Sequence, residues 1–395
     1  MRKKYLYLTL VASLVLSAGV TGQSSDPVVL SYQRNFIRAS MATKIELLND
    51  ASRITNVNMT PLYVESIEFV LDNLPILGQD AQLVDIASVS ASKLEQYRDA
   101  SSVDSLKRLL SSMTDPKVRI SVLNAFSTLA KGRQEDIAFL DSWFIGAVDG
   151  TISGSPTDTR VLSACATALG KLGASSSFAP LFKAYTSNLD SSVVVASQNA
   201  ANMITEGYSS QILAIIRDNP VKDVQAALAL STRREDLPNA ERGQIAEAVF
   251  VRFSSLEGDD AARQSTKDLV RESMRQLAAL SWSQASPSVV KFFYRVQGEY
   301  KNGQPHSDMM LPVIACMGSM ATNEAAQALS IFLGLLNSET EQKKTYNEQL
   351  LLAVISSLGE LGDKTAFDYL LYVGYLEYPE TVKQASRDAL ARLNW

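Results

Sequence analysis

Apolar residues recur along this chain in a spaced frame: an aspartate, an aliphatic residue three positions later, a small residue seven beyond it, and another aliphatic four further on. Asp80, Leu83, Ser90 and Leu94 are the first occurrence, and Asp115, Val118, Ala125 and Leu129 the second. Asp158, Val161, Ala168 and Leu172 follow, then Asp190, Val193, Ala200 and Ile204. A looser fifth is Asp218, Val221, Leu228 and Thr232. The frame returns without its aspartate at Met309, Cys316 and Met320, at Leu350, Ser357 and Leu361, and at Val382, Ala389 and Leu393. At about 100° per residue, offsets of seven and eleven return to within roughly 20° of the start, so the three side chains share one face of one helix. A small central residue admits a neighbouring helix, and the aliphatics fill the space around it. The leading Asp80, Asp115, Asp158 and Asp190 are predicted N-caps, accepting hydrogen bonds from the first unpaired backbone N–H groups. Pro116 after Asp115 sits at the first helical position, where its missing N–H costs nothing.

Successive frames begin 35, 43, 32 and 28 residues apart, then 41 and 32 apart among the last three. Between them lie further helical segments at 103–112, 137–148, 178–186, 325–336 and 366–376. One helix of each set makes an antiparallel pair, and pairs stack because neither member buries its apolar face alone. Alternating β-branched runs with hairpin turns are missing from the pattern, which excludes an all-β or α/β reading. The fold class expected is all-α, an α-solenoid of stacked antiparallel helix pairs. Helices at 27–52 and 60–74, linked by 56–59, read as an N-terminal helical cap over 23–79. Clear repeats then cover 80–236, degenerate helical repeats 237–306, and C-terminal repeats 307–395. Loops are expected around 150–156, 233–238, 282–287 and 338–346.

Three stretches sharpen this picture: Asp115-Pro116-Lys117-Val118-Arg119, Ala168-Leu169-Gly170-Lys171-Leu172-Gly173, and Ser357-Leu358-Gly359-Glu360-Leu361-Gly362. They resemble HEAT repeats, including the phycobilisome-lyase-type variety, over 81–236 and less closely over 307–395. The resemblance implies a stacked helical fold with an extended binding surface. The lyase-type variety would also imply attachment or removal of a bilin in the cytoplasm of a phototroph. No motif here maps onto a lyase site, so the fold is carried over and that activity is not.

The first residues read as an address. Arg2, Lys3 and Lys4 precede an apolar stretch from Tyr5 to Val15, followed by Ser17, Ala18 and Gly19. This is the order of a secretory signal peptide, with Val20-Thr21-Gly22 placing cleavage after Gly22. The apolar stretch falls short of the roughly 20 residues that a membrane span needs, and no later stretch reaches that length. Removing 1–22 takes three cations and no acid from a formal charge of −5, leaving −8. The expectation is a periplasmic or secreted protein without a transmembrane segment. An acidic chain is also a poor ligand for nucleic acid, so no nucleic-acid partner is expected.

Composition narrows the chemistry further. The 395 residues are 46% hydrophobic and 20% charged, enough apolar material to fold, with one His and two Cys. That inventory excludes a zinc finger, a multi-histidine metal site and a disulfide scaffold. The lone His306 lies in a Gly303–Ser307 turn with no neighbouring nucleophile or orienting group. Cys165 and Cys316 fall inside repeat helices and read as buried small hydrophobes. Acid pairs such as Asp259-Asp260 and Glu235-Asp236 sit at helix starts, where the macrodipole favours negative charge. No phosphate loop, nucleophile elbow or HExxH motif occurs, so neither a cofactor nor a catalytic role is expected.

One surface is suggestive. On the 366–376 helix, Phe367, Leu370, Leu371 and Gly374 are expected to face the core, which leaves Tyr369, Tyr372 and Leu376 opposite them. Tyrosine suits an interface because its ring is apolar while its hydroxyl stays solvated. These three are the candidate protein interface, unless Leu393-Asn394-Trp395 folds over them. The function expected is an exported, non-catalytic scaffold that binds a protein or peptide, with assembly of an envelope or motility complex as a setting. The alternatives are a lyase-like or hydrolytic enzyme with a loop-assembled site, and a small-ligand binder using a groove between repeats.

Overall fold

A computed structural model describes residues 26–255, 260–302 and 307–394. The leader at 1–22, Asp259, His306 and Trp395 lie outside the described residues. What is described is all-helical, with no strand and one isolated bridge joining Asp363 to Asn394. The chain divides into two compact units, Met1–Lys131 and Gly132–Trp395.

The first unit contains α1 (Pro27–Arg38), α2 (Met41–Ala51), α3 (Thr60–Leu77), α4 (Ala81–Tyr97), α5 (Val103–Ser112) and α6 (Pro116–Leu129). The 27–52 segment is broken at Ala39, which turns extended, and Ser40 caps α2 by accepting from Thr43 N. Helix α4 packs on α3 and α6, and α5 packs on α3 and α6. Their shared core includes Tyr63, Ile67, Leu83, Ile86, Leu106, Val122 and Phe126, all fully buried. Where α3 meets α4, the Ser66 and Ser90 hydroxyls lie 2.5 Å apart. Ser90 is the small residue of the first frame.

The second unit opens with α7 (Gln134–Ile152), α8 (Thr159–Leu172), α9 (Phe178–Thr186), α10 (Ser191–Met203), α11 (Tyr208–Asp218), α12 (Val221–Thr232) and α13 (Asn239–Phe253). It continues through α14 (Asp260–Ala279), α15 (Ser286–Lys301), α16 (Met310–Gly318), α17 (Asn323–Lys343), α18 (Glu348–Leu361), α19 (Phe367–Val373) and α20 (Glu380–Leu390). Consecutive helices pack in pairs such as α7–α8, α9–α10, α15–α16, α17–α18 and α19–α20. Helices two apart also pack: α8 on α10, α16 on α18 and α18 on α20, with α7 on α9, α15 on α17 and α17 on α19.

Close backbone approach explains the frame's small residues. A β-carbon added to Gly318 would lie 2.8 Å from Ser357 Cβ, and one on Gly359 would lie 3.0 Å from Ala389 Cβ. Gly170 meets Ala200 in the same way. In each case the glycine stands two positions after one small frame residue (Ala168, Cys316 or Ser357) and faces the small residue of the frame that follows. The aliphatic positions of the first four frames are all buried.

One loop expectation needs correction, and the fifth frame departs from the first four. The 338–346 break is mostly helix, because α17 runs on to Lys343 before Lys344 turns left-handed. Asp218 does not cap α12: it is the last residue of α11 and pairs with Arg217, while Pro220 occupies the N-cap position without a side-chain bond. The fifth frame is correspondingly shifted, and Val224, Ala227, Leu228, Leu230 and Ser231 are the buried residues of α12.

Candidate functional site

The candidate surface lies on three helices that pack in series, α15, α17 and α19. Each presents a different arc to each neighbour. On α17, Phe332 meets Phe293 of α15 edge to face, with centroids 5.4 Å apart. The arc towards α19 carries Gly334, Asn337 and Glu341: Gly334 lies under the Tyr369 ring, Asn337 Nδ2 donates to Tyr369 O at 3.3 Å, and Glu341 accepts from the Tyr372 hydroxyl at 3.3 Å. Between those two arcs, the helical rotation places Ile331 and Leu335 on the outer face with Gln327, Ser338 and Gln342. Ile331 is 51% exposed and Leu335 40%. On the flanking helices, Tyr294 of α15 and Leu371 and Tyr372 of α19 are also exposed, and Tyr375 just beyond α19 is 76% exposed. Large exposed apolar residues, interspersed on α17 with Gln327, Ser338 and Gln342, thus recur across a ridge of three adjacent helices.

The ridge has a rigid foundation. Tyr378 is buried, and its hydroxyl lies 3.1 Å from Asn337 Oδ1 and 3.0 Å from Thr340 Oγ1. Burial raises the Tyr378 hydroxyl above its ordinary value, and its hydrogen bond with Thr340 opposes the rise. Asn337 therefore ties the backbone of α19 and the Tyr378 ring to one point on α17. Tyr346 stacks edge to face on Tyr378 at 5.4 Å.

The three interface residues expected from the sequence separate here. Tyr372 is exposed. Tyr369 is only half exposed, because its ring covers Gly334. Leu376 is buried, and Leu371 and Gly374, expected in the core, are exposed. The cause is the length of α19. It ends at Val373 and follows a short 3₁₀ turn at Lys364–Ala366, so its buried arc is Ala366, Leu370 and Val373, and Leu376 belongs to the turn that follows. Leu393 is buried, while Asn394 N donates to Gly362 O at 2.7 Å.

The four aspartates sit at helix starts. Asp80 accepts from Gln82 N at 2.9 Å, Asp158 from Arg160 N at 2.9 Å and Asp190 from Ser192 N at 2.9 Å. Asp115 accepts from both Lys117 N at 2.8 Å and Val118 N at 3.3 Å. The hydrogen bond from Arg160 holds the Asp158 carboxyl below its ordinary value, and the one from Ser192 does the same for Asp190. These groups are committed to backbone.

Buried polar chemistry occurs elsewhere, in a form the sequence pattern does not announce. Asp141 of α7 is buried; Oδ2 accepts from Ser176 at 2.9 Å and Oδ1 has no partner. Burial pushes its carboxyl above the ordinary value, while Ser177 and Ser176 hold it down. The Cys165 thiol of α8 is raised by burial and then by the Asp141 charge, and burial pushes Cys316 up to about 12. Both cysteines are free, and neither supplies a thiolate near neutral pH. Among the described residues, no three His, Cys, Asp or Glu side chains come together as a metal site, and no helix is long and apolar enough to cross a membrane.

Ile331, Leu335, Tyr294 and Tyr375 escape a reading by sequence because isolated exposed aliphatics are ordinary on helix surfaces. One signal was present: Ile331 and Leu335 stand four apart on an otherwise polar arc of α17. No known protein family matches this chain, and no curated protein is similar to it in sequence.

Proposed function

We propose that this protein is an exported, non-catalytic scaffold that holds a protein or peptide partner on a HEAT-like α-solenoid, with the α15–α17–α19 ridge as its docking face. Within residues 132–395, the packing of helices one and two places apart along the chain supports the solenoid reading. The leader-like sequence at 1–22 supports export to the periplasm or beyond.

The observation that carries the docking assignment is the exposure of Tyr294, Ile331, Leu335, Leu371, Tyr372 and Tyr375 on or just beyond three helices that pack in series. Large apolar side chains concentrated on neighbouring helices cost solvation unless a partner covers them, whereas singly scattered ones need no such explanation. Tyrosine hydroxyls keep the ridge wettable in the free protein.

Site-specific photocrosslinking in the native envelope tests this reading. A crosslinker at Ile331 or Tyr375 is expected to capture a partner that one at Asp149, on α7, does not. Leu335→Glu combined with Tyr372→Ser is expected to abolish capture while leaving the circular dichroism spectrum unchanged. Equal capture from ridge and control positions would overturn the assignment.

A further inference from the structure

Even-numbered helices of the second unit pack in series, α8 on α10, α14 on α16, α16 on α18 and α18 on α20, but one step of the series is missing. Helix α10 packs on α8 and α9, α12 packs on α11, α13 and α14, and no comparable packing joins α10 to α12 among the described residues. The break follows from the repeat frame. At Gly170–Ala200, Gly318–Ser357 and Gly359–Ala389, a glycine two places after the small frame residue lets backbones touch. On α10 that place is held by Asn202, and its counterpart on α12 is Leu228, at the small position of the fifth frame. A longer polar group set against a leucine keeps the two backbones apart. Asn202 Oδ1 is accordingly buried without a partner. Val195, seven places before Asn202 and so on the same arc of α10, is 52% exposed, whereas its counterparts Ser163, Leu311 and Leu352 are half-buried.

Two long cations span the gap, one at each end of α12. Just past its C-terminus, Arg234 is buried: it pairs with Asp236, donates to Ile204 O at the end of α10 at 2.7 Å, and lies 4.4 Å from the Tyr208 ring centroid. At the other end, Lys222 is exposed and donates to the carbonyl of Thr186, the last residue of α9, at 3.1 Å. The odd-numbered row, by contrast, is continuous here. Phe178 of α9 meets Tyr208 of α11 edge to face at 5.5 Å, and Ser209 of α11 bonds Glu241 of α13. Arg252 of α13 donates to Asn219 O, just after α11, at 2.8 Å.

We infer that this break is a hinge built into the fold: α10 and α12 splay apart about the buried Arg234 and the continuous α9–α11–α13 row, and the exposed Lys222 bond is the latch that holds them closed. Sparse packing and a solvent-exposed bond are the features that make a local opening cheap in free energy. An exposed lysine exchanges its partner readily with water, so the latch resists little. Hinges absorb their rotation at the ends of elements, which is where Ile204 and Arg234 stand. The opening changes the angle between the helices up to α10 and those from α12 onward, and with it the curvature of the second unit. The hinge lies on helices other than those of the ridge, and neither assignment depends on the other.

The test measures spin-label distance distributions in the full chain, with Cys165→Ala and Cys316→Ala removing the native thiols. Labels at the exposed positions Asn199 and Ala229 span the gap between α10 and α12. Pairs at Thr167 and Asn199, and at Ser356 and Asp388, span two steps where the even-numbered row is packed, and a pair at Ala179 and Ser210 spans α9 and α11; all are exposed. The Asn199–Ala229 distribution is expected to be broader than the other three. Lys222→Met, which keeps the length of the side chain but not its donor, is expected to shift that distribution to longer distances and to leave the other three as they were. The proposal is overturned if the Asn199–Ala229 pair is as narrow as the packed steps, if the Ala179–Ser210 pair is equally broad, or if Lys222→Met leaves the gap unchanged.

Discussion

The α-carbon of Ala200 occupies the space that a side chain on Gly170 would need: a β-carbon there would lie 2.7 Å from it and 2.8 Å from Ala200 Cβ. Two helix backbones meet at this point, so neither neighbour has a flexible end to move aside. Gly170→Ala improves intrinsic helix propensity by about 1 kcal/mol. Forcing α8 and α10 apart costs about 1–3 kcal/mol and more as the inserted group grows. We expect Gly170→Ala to lower the denaturation midpoint and Gly170→Val to lower it further; a rise with Ala would contradict the close approach.

Asp115→Ala is expected to destabilise the protein by about 1 kcal/mol, because two backbone N–H groups at the start of α6 lose their acceptor. Asp115→Asn should recover most of the loss, since an amide oxygen can accept the same bonds. Urea denaturation of the three proteins measures this, and equal midpoints for wild type and Asp115→Ala would remove the cap.

Asp141 carries the opposite expectation. Its folded carboxyl titrates above the unfolded value, so the folded state holds its proton more tightly. Its contribution to stability is therefore most favourable below the unfolded value near pH 4 and declines as pH rises through the folded one. Asp141→Asn removes the buried charge and can still accept from Ser176. It is expected to stabilise the protein at pH 7, by on the order of 1–3 kcal/mol, with the gain shrinking on acidification. Thermal melts of both proteins between pH 4 and 8 check this; a gain independent of pH would rule out the charge as its cause.

Lys44 is buried, and its ammonium donates to Phe36 O, to Ile37 O at 3.2 Å and to Ala39 O at 3.0 Å, while lying 4.7 Å from the Phe36 ring centroid. All three of its donors are used at the end of α1. Lys44→Met keeps the length of the side chain and takes the donor from Ile37 O and Ala39 O, while Phe36 O keeps its bond from Ala39 N, for an expected loss of about 1–3 kcal/mol. Faster amide exchange confined to α1 and α2 would identify the site of damage; unchanged exchange there would refute the assignment.

Much of the helical order was legible because the frame is local: offsets of seven and eleven repeat within one helix, and the aspartate three residues ahead of the first aliphatic caps the helix in each of the first four frames. What escaped depended on distant partners. Leu376 was assigned to an outer stripe on the premise that α19 runs to its position, but the helix stops at Val373 and the chain folds Leu376 inward. Asp218 has the spacing of a cap, yet Pro220 begins the next helix and the aspartate turns to Arg217. The ridge was half visible. Tyr372 could be placed by rotation, whereas Ile331 and Leu335 gain meaning only once α15 and α19 bring Tyr294 and Tyr375 alongside.

Lys44 is one of a set. Arg119 of α6 donates to Met113 O after α5, Lys222 of α12 to Thr186 O at the end of α9, Arg252 of α13 to Ile216 O and to Asn219 O after α11, and Arg295 of α15 to Ser254 O after α13. Helix carboxyl ends are thus sealed by cations borrowed from segments synthesised later. During synthesis each such end must wait, open to water, until its donor has emerged, and a ribosome stalled between the two would leave a nascent chain frayed at its newest turn. Proteolysis of stalled chains should accordingly cut just past residue 218 until Arg252 has cleared the exit tunnel.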